Sequence, residues 1–142
     1  MSDPDLADID RLTDEQARGL HALYQNEWWT RGRTLDDTRT MLAHTDYLFG
    51  ICEPGAGRLA AFARVLTDRA FKAFIFDVIV APEHRGKGLG SRLMRRIVGH
   101  PDLRAVKHFE LACRPELTAF YGRLGFTTEV GGIQLMRRST PR

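Results

Sequence analysis

The sequence predicts a mixed α+β domain, and three observations carry that reading. The hydrophobic pattern opens with helical periodicity, passes through consecutive strand-like runs and returns to helix. Only one helical crossover joins neighbouring strands, so one parallel pair is expected in an otherwise antiparallel sheet, and a doubly wound sheet is excluded. The apolar run Phe74–Val80 leads directly into a glycine-rich turn and a further helix. With 142 residues, the chain is long enough for one domain spanning 1–142 and too short for two.

Leu6 to Leu12 reads as a short edge strand. Thr13-Asp14-Glu15-Gln16 is a capping box, and the helix behind it is expected to bury Ala17, Leu20, Tyr24 and Trp28. Gly32 breaks the pattern, and Thr34 with Asp37 opens a second helix to about Ala43. Trp29 falls on another face than Trp28, which makes it a candidate for touching a substrate. Arg31 and Arg33 could hold an anionic acceptor group or lie solvated. Tyr47–Cys52 and Arg58–Thr67 flank the turn Pro54-Gly55-Ala56-Gly57 and should pair as an antiparallel hairpin. Asp68-Arg69-Ala70 turns the chain into the central strand, Lys72–Val80.

Pro82 ends that strand, having no N–H to give a ladder. The next helix carries Leu89, Leu93 and Ile97 at a spacing of four, widened by Met94 and Val98, and stops at Gly99-His100-Pro101. Val106–Ala112 is a strand reached through this helix, so it should run parallel to the central one. Pro115 suits the first position of a last helix with the stripe Leu117, Phe120, Tyr121 and Leu124, stopped by Gly125. Phe126–Val130 and Ile133–Met136 read as a closing hairpin around Gly131-Gly132.

Composition narrows the class. Cys52 and Cys113 form neither a metal spacing nor a disulfide framework, and both read as small buried hydrophobes in a reducing compartment. The N-terminal run with Asp3, Asp5, Asp8 and Asp10 lacks the pattern of a signal peptide, and no apolar run is long enough to span a membrane, so a cytoplasmic protein is expected. Net charge is +3, with Arg85, Lys87, Arg92, Arg95 and Arg96 crowded together. No stacking aromatics are interleaved with that cluster. A phosphate-bearing coenzyme therefore explains it, and nucleic acid is not the expected partner; the helical arginines read as a solvated face. His84, His100 and His108 show no ligand spacing and read as surface residues, so no metal is expected.

The turn at residues 85–90 is a phosphate device. Helix-opening N–H groups have no internal partner, and the helix dipole favours an anion there. Gly86, Gly88 and Gly90 clear side chains from the approach, while Arg85 and Lys87 add charge. The Walker loop needs Ser or Thr after Gly-Lys, but Gly88 follows Lys87. The dinucleotide fingerprint needs its third glycine three residues after the second, but Gly90 follows Gly88 by two. The pattern that is present is Arg-x-x-Gly-x-Gly, from Arg85 through Gly88 to Gly90, preceded by Val80-x-Pro82.

This loop resembles the acetyl-CoA loop of the GNAT superfamily of N-acetyltransferases. Phe120-Tyr121-Gly122-Arg123-Leu124-Gly125-Phe126 is similar to the superfamily's Phe-Tyr-x-x-x-Gly-Phe run, in the matching order. The resemblance implies a mostly antiparallel sheet with one parallel pair splayed around acetyl-CoA, flanked by about four helices. It implies that the backbone of Ile79 and Val80 pairs with the pantetheine arm. The N–H groups from Arg85 through Gly86, Lys87, Gly88, Leu89 and Gly90 to Ser91 would hold the pyrophosphate. The Tyr121 hydroxyl would protonate the departing thiolate. Dimers are common in the superfamily, so a homodimer stays open.

The sequence also departs from the family pattern. Many members carry Asn before the last helix, where this chain has Arg114-Pro115-Glu116. Many carry Glu on the central strand; here Asp77 is the carboxylate within it. By alternation Asp77 should share a face with Ile75 and Ile79 and reach a pocket as an acceptor anchor or base, or else be a buried structural partner, with Glu110 in reserve. The expected activity is direct acetyl transfer from acetyl-CoA to a primary amine, because neither cysteine lies in a nucleophile motif. The rival readings are a degenerate acyl-CoA sensor and a basic nucleic-acid-binding domain.

Overall fold

Residues 5–142 are described by the structure, a computed structural model, so Asp3 of the acidic run lies outside the described residues. The chain divides into two compact units, Met1–Ala112 and Cys113–Arg142, and each is described by itself.

The first unit is built on a five-stranded sheet in sequence order: β1 (Ala7–Ile9), β2 (Tyr47–Cys52), β3 (Leu59–Thr67), β4 (Lys72–Val80) and β5 (His108–Leu111). Its first four strands are antiparallel neighbours, and β5 runs parallel to β4, as the crossover requires. Leu59 to Ala63 are all buried, so helices cover both faces of the centre. On one face α1 (Asp14–Gln25) sets Leu20 and Tyr24 against Leu59, Phe62 and Ile79. Fully burying such a side chain contributes about 1.5–3 kcal/mol. On the other face α3 (Leu89–Val98) buries Leu89, Leu93, Met94 and Ile97, while Val98 at the stripe's edge is exposed.

Thr13 and Gln16 cap α1 reciprocally, as predicted. Thr34 accepts from the Asp37 N–H at the start of α2 (Leu35–Ala43). The end of α1 differs from expectation. The Thr30 hydroxyl donates to the Tyr24 carbonyl, the acceptor another helical turn would have offered to the Trp28 N–H. The helix stops at Gln25, and Trp28 leaves the stripe at 61% exposure instead of packing in the core.

Two helical arginines expected to be solvated are structural. Arg92 donates to Asp8 and to the Leu6 carbonyl, and Arg96 donates to the carbonyls of Gly50 and Ile9. They fasten the three-residue edge strand β1, which is too short to hold by its own ladder. His84 is also buried rather than on the surface, and Cys113 is exposed rather than buried. Cys113 is two residues past the end of β5 and opens the second unit.

The second unit holds a 3₁₀ turn at Pro115–Leu117 and a short α4 (Thr118–Gly122). Leu117 is exposed, so the expected stripe reduces to Phe120, Tyr121 and Leu124. The closing hairpin does not form. Gly131 and Gly132 turn with positive φ, but Phe126–Val130 and Ile133–Met136 carry no ladder, and Ile133, Leu135 and Met136 are exposed. Strand propensity alone does not hold an extended run without a ladder.

Candidate active site

The site-forming irregularity of the first unit is a bulge in β4. Phe62 pairs with Ile79, but Arg64 pairs with Phe76, so β4 carries one residue more than β3 between these pairs. Asp77 absorbs it with φ +58°, a left-handed conformation that Asp tolerates better than most residues. A bulge inverts alternation. Phe62 and Arg64 are two apart on β3 and face one side, so their partners Ile79 and Phe76 face that side too. Asp77 therefore points to the α1 face with Ile79 and Phe76, while Ile75 faces away, which corrects half of the expected alternation.

There the Asp77 carboxylate is 4% exposed. The Tyr24 hydroxyl donates to Oδ2 at 2.9 Å, Arg33 reaches both oxygens at 2.8 and 3.3 Å, and the Arg64 Nε donates at 2.8 Å. Each guanidinium also lies over a ring, Arg33 on Tyr24 and Arg64 on Phe76, both 4.6 Å from the centroid. Burial alone would raise the Asp77 carboxyl; the hydrogen bonds from Arg33 and Arg64 outweigh it and hold the group below its ordinary range. Burial, then the adjacent Asp77 charge, raises the Tyr24 phenol far above its usual value.

The link that carries Arg33 is itself pinned. The Gln25 side chain donates to the Arg33 carbonyl and accepts from the Gly32 N–H. Trp29, in the same link, is part-exposed.

The parallel pairing of β4 and β5 ends at Ile75 and Leu111. From Phe76 to Val80 the strand is held by β3 on one side only. That one-sided stretch runs into the glycine turn. Gly86 and Gly88 have φ +79° and +75°, and an added Cβ at either would meet nothing within 4 Å, so their requirement is backbone conformation with open space in front. The first helical bond of α3 runs from the Arg92 N–H to the Gly88 carbonyl, leaving the N–H groups of Leu89, Gly90 and Ser91 ahead of it. Arg85 donates to Glu27 at 2.9 Å. Lys87 donates to His84 Nδ1 at 3.0 Å, so His84 Nε2 carries the proton donated to Glu53 at 2.9 Å.

In the second unit, the Tyr121 ring packs against Phe120 and Phe126. Burial, with Cys113 adding to it, pushes its phenol up to about 12. Glu110, the reserve carboxylate, is paired with Lys72 at 2.8 Å. Among the described residues no three His, Cys, Asp or Glu are grouped as a metal site, and no helix is long and apolar enough to cross a membrane.

The structure joins Asp77 to Arg33 and keeps 85–91 together as one turn. Sequence reasoning missed Arg64, Tyr24 as a hydroxyl donor, Gln25, and the Glu53–His84 support of Lys87. Arg64 alone had a visible signal, as the one charged residue in the otherwise apolar run Leu59–Leu66.

A strand bulged at a strained carboxylate, freed from its parallel neighbour and running into a glycine-opened helix, suits a ligand with an extended arm and a pyrophosphate. The profile of the Acetyltransferase (GNAT) family matches residues 6–126, and the chain belongs to this family of acetyl-CoA-dependent N-acetyltransferases. A structure from Xanthomonas campestris pv. campestris, assigned to the GNAT family, is 31% identical with a TM-score of 0.79, covering 97% of this chain and 95% of that one. Glucosamine 6-phosphate N-acetyltransferase 1 of Oryza sativa subsp. japonica is 41% identical over 88 residues, 57% of this chain and 53% of that protein. Serotonin N-acetyltransferase 2, chloroplastic, of the same species is 35% identical over 100 residues, 69% of this chain and 50% of that protein. The chain thus spans about half the length of these two relatives.

Proposed function

We propose that this chain transfers an acetyl group from acetyl-CoA directly to the primary amine of a small molecule or peptide. The observation that carries the reading is the one-sided stretch Phe76–Val80 leading into the open turn at 85–91. The edge at Ile79 and Val80, which no second strand pairs among the described residues and where Arg85 Nε donates to the Val80 carbonyl at 3.4 Å, suits an arm lying alongside as an added strand. The N–H groups around Gly86, Gly88, Leu89, Gly90 and Ser91 suit a pyrophosphate, with Arg85 and Lys87 supplying charge nearby. The family match crosses from the first unit into the second, which supports reading 1–142 as one acetyltransferase domain.

Acetyl-CoA, when bound, supplies the acyl group and a thiolate leaving group. A backbone N–H at the splay polarises the carbonyl as the amine attacks. The Tyr121 hydroxyl, kept protonated at neutral pH, donates its proton to the departing sulfur. Trp29 and Arg33 flank the acceptor. Of the roles open to Asp77, its donors support the buried structural partner: a carboxylate 4% exposed and held below its ordinary range by two arginines is a weak base, and it orients Arg33 and Arg64. Cys52 is buried away from any substrate in solution, which agrees with direct transfer, and a cytoplasmic setting belongs to this reading. The chain works without a metal in this reading, as a monomer or a homodimer.

The test is thermal unfolding with acetyl-CoA, free coenzyme A, ATP and NAD, followed by release of free thiol against a panel of amines. At about 100 times Kd, a ligand adds about 2.7 kcal/mol, a rise of roughly 5–15 °C for a domain of this size. A rise with both coenzyme A forms alone, and thiol release with an amine, is expected. An equal rise with every polyphosphate would reduce the turn to a generic anion site. Stable labelling of the protein by acetyl groups without acceptor would overturn direct transfer.

A further inference from the structure

This inference rests on the acetyltransferase reading and narrows its acceptor. The Asp77 cluster holds two guanidiniums on one carboxylate. Among the ion pairs of the described residues, those of Arg33 and Arg64 both end on Asp77 alone. Tyr24 brings a protonated hydroxyl and no charge. Of the acids on the link and on β5, Glu27 is paired with Arg85 and Glu110 with Lys72. The cluster is therefore one positive charge in excess. Arg64 is 14% exposed and Arg33 34% exposed, so water reaches the first poorly. A charge so placed is costly unless an anion joins it.

The free donors are on Arg64. Its Nε is spent on Asp77, and its terminal nitrogens make no hydrogen bond among the described residues. Yet no polar side-chain atom there is both buried and unpartnered, so these nitrogens keep some accessible surface within a side chain that is 14% exposed. The guanidinium lies over the Phe76 ring, 4.6 Å from its centroid, a contact that restricts where its terminal nitrogens can be presented. The cluster lies where β4 leaves β5, and Asp77 is two residues, about 7 Å along an extended strand, from Ile79. A small acceptor could place its amine at the splay and its other end at the arginines.

We propose that Arg64, together with Arg33, forms an anion subsite beside the splay, and that the acceptor is a small amine whose other end carries a carboxylate or a phosphate. The carboxylate or phosphate completes the neutralisation of the cluster by accepting from the Arg64 terminal nitrogens. The amine is left free of the cluster.

The experiment compares kcat/KM for n-butylamine, γ-aminobutyrate and aminopropylphosphonate, in wild type, Arg64→Gln and Arg64→Lys. In wild type at least one charged amine should exceed butylamine by about 10- to 100-fold, the scale of charge-assisted hydrogen bonds. The carboxylate and phosphonate arms show which anion is preferred. Arg64→Gln should bring the ratio close to one, and Arg64→Lys, which keeps charge without the fork, should fall between. A wild-type ratio near one, or a ratio unchanged in folded Arg64→Gln, overturns the proposal. If Arg64→Gln does not fold, Arg64→Lys and the wild-type ratio decide. If no amine is acetylated, the acetyltransferase reading falls, and calorimetric titration with glutarate and inorganic phosphate tests the subsite alone. Binding by wild type that Arg64→Lys weakens keeps it, and no binding by wild type removes it.

Discussion

The glycine turn at 85–91 and the Asp77 cluster are both electropositive and both rest on left-handed backbone, yet they are built in opposite ways. The turn is contiguous, and its strained positions are Gly86 and Gly88, where the missing side chain removes the cost. The cluster draws Tyr24, Arg33, Arg64 and Asp77 from different elements, and its strained position carries the side chain that matters. A site that offers backbone donors can be written into a few consecutive residues. One that offers oriented guanidiniums needs a fold to collect them, and the strain at Asp77, of order 1–3 kcal/mol, is offset by the bonds it enables.

The sharpest way to break this contrast is Asp77→Ala. It removes the one carboxylate of the cluster and leaves two guanidiniums without their shared partner, so stability should fall by about 3–5 kcal/mol, read by urea unfolding. Asp77→Asn keeps tolerance of positive φ and some hydrogen bonding, so it should cost clearly less. An equal loss would assign the whole effect to charge. Neither change should abolish the thermal shift with coenzyme A, since the turn is held separately.

Next is Gly88→Ala. A Cβ at φ +75° costs about 1–2 kcal/mol, and it should weaken acetyl-CoA binding by roughly 10-fold or more, measured by calorimetry. The Asp77 cluster should be untouched. Tyr121→Phe should lower kcat by up to about 100-fold with little change in Kd for acetyl-CoA. Because burial raises that phenol to about 12, wild-type activity should show no loss from its ionisation at pH 8–10.

A smaller effect comes with pH. The folded-state value of Asp77 is depressed, so the cluster's contribution is present above the unfolded carboxyl value of about 3.9 and is lost as pH falls below that through the folded value. Wild type should therefore destabilise more steeply than Asp77→Asn on acidification below about pH 4, in acid unfolding followed by circular dichroism. The smallest expected change is Thr34→Ala. Loss of the α2 cap should cost about 1 kcal/mol and shift the urea midpoint without altering the coenzyme A response.

Much of this protein is determined by local chemistry and is legible along the chain. Thr13 and Gln16 cap α1 because their groups lie within one turn of each other. Pro82 ends β4 because it has no N–H, and Gly86 and Gly88 mark the turn because only glycine takes its φ freely. The helix crossover makes β5 parallel for reasons of connection alone. Tertiary structure decided everything that depends on a distant partner. Thr30 captured the Tyr24 carbonyl and released Trp28 from the core. The bulge turned Asp77 away from Ile75, because register belongs to a pair of strands and not to one. Arg92 and Arg96 became ties for β1, and the apolar alternation at 126–136 carries no ladder. Alternation, capping and φ act within a few residues and so can be read from sequence; register, ion pairing and burial are settled between segments far apart in the chain, where only the folded molecule brings the partners together.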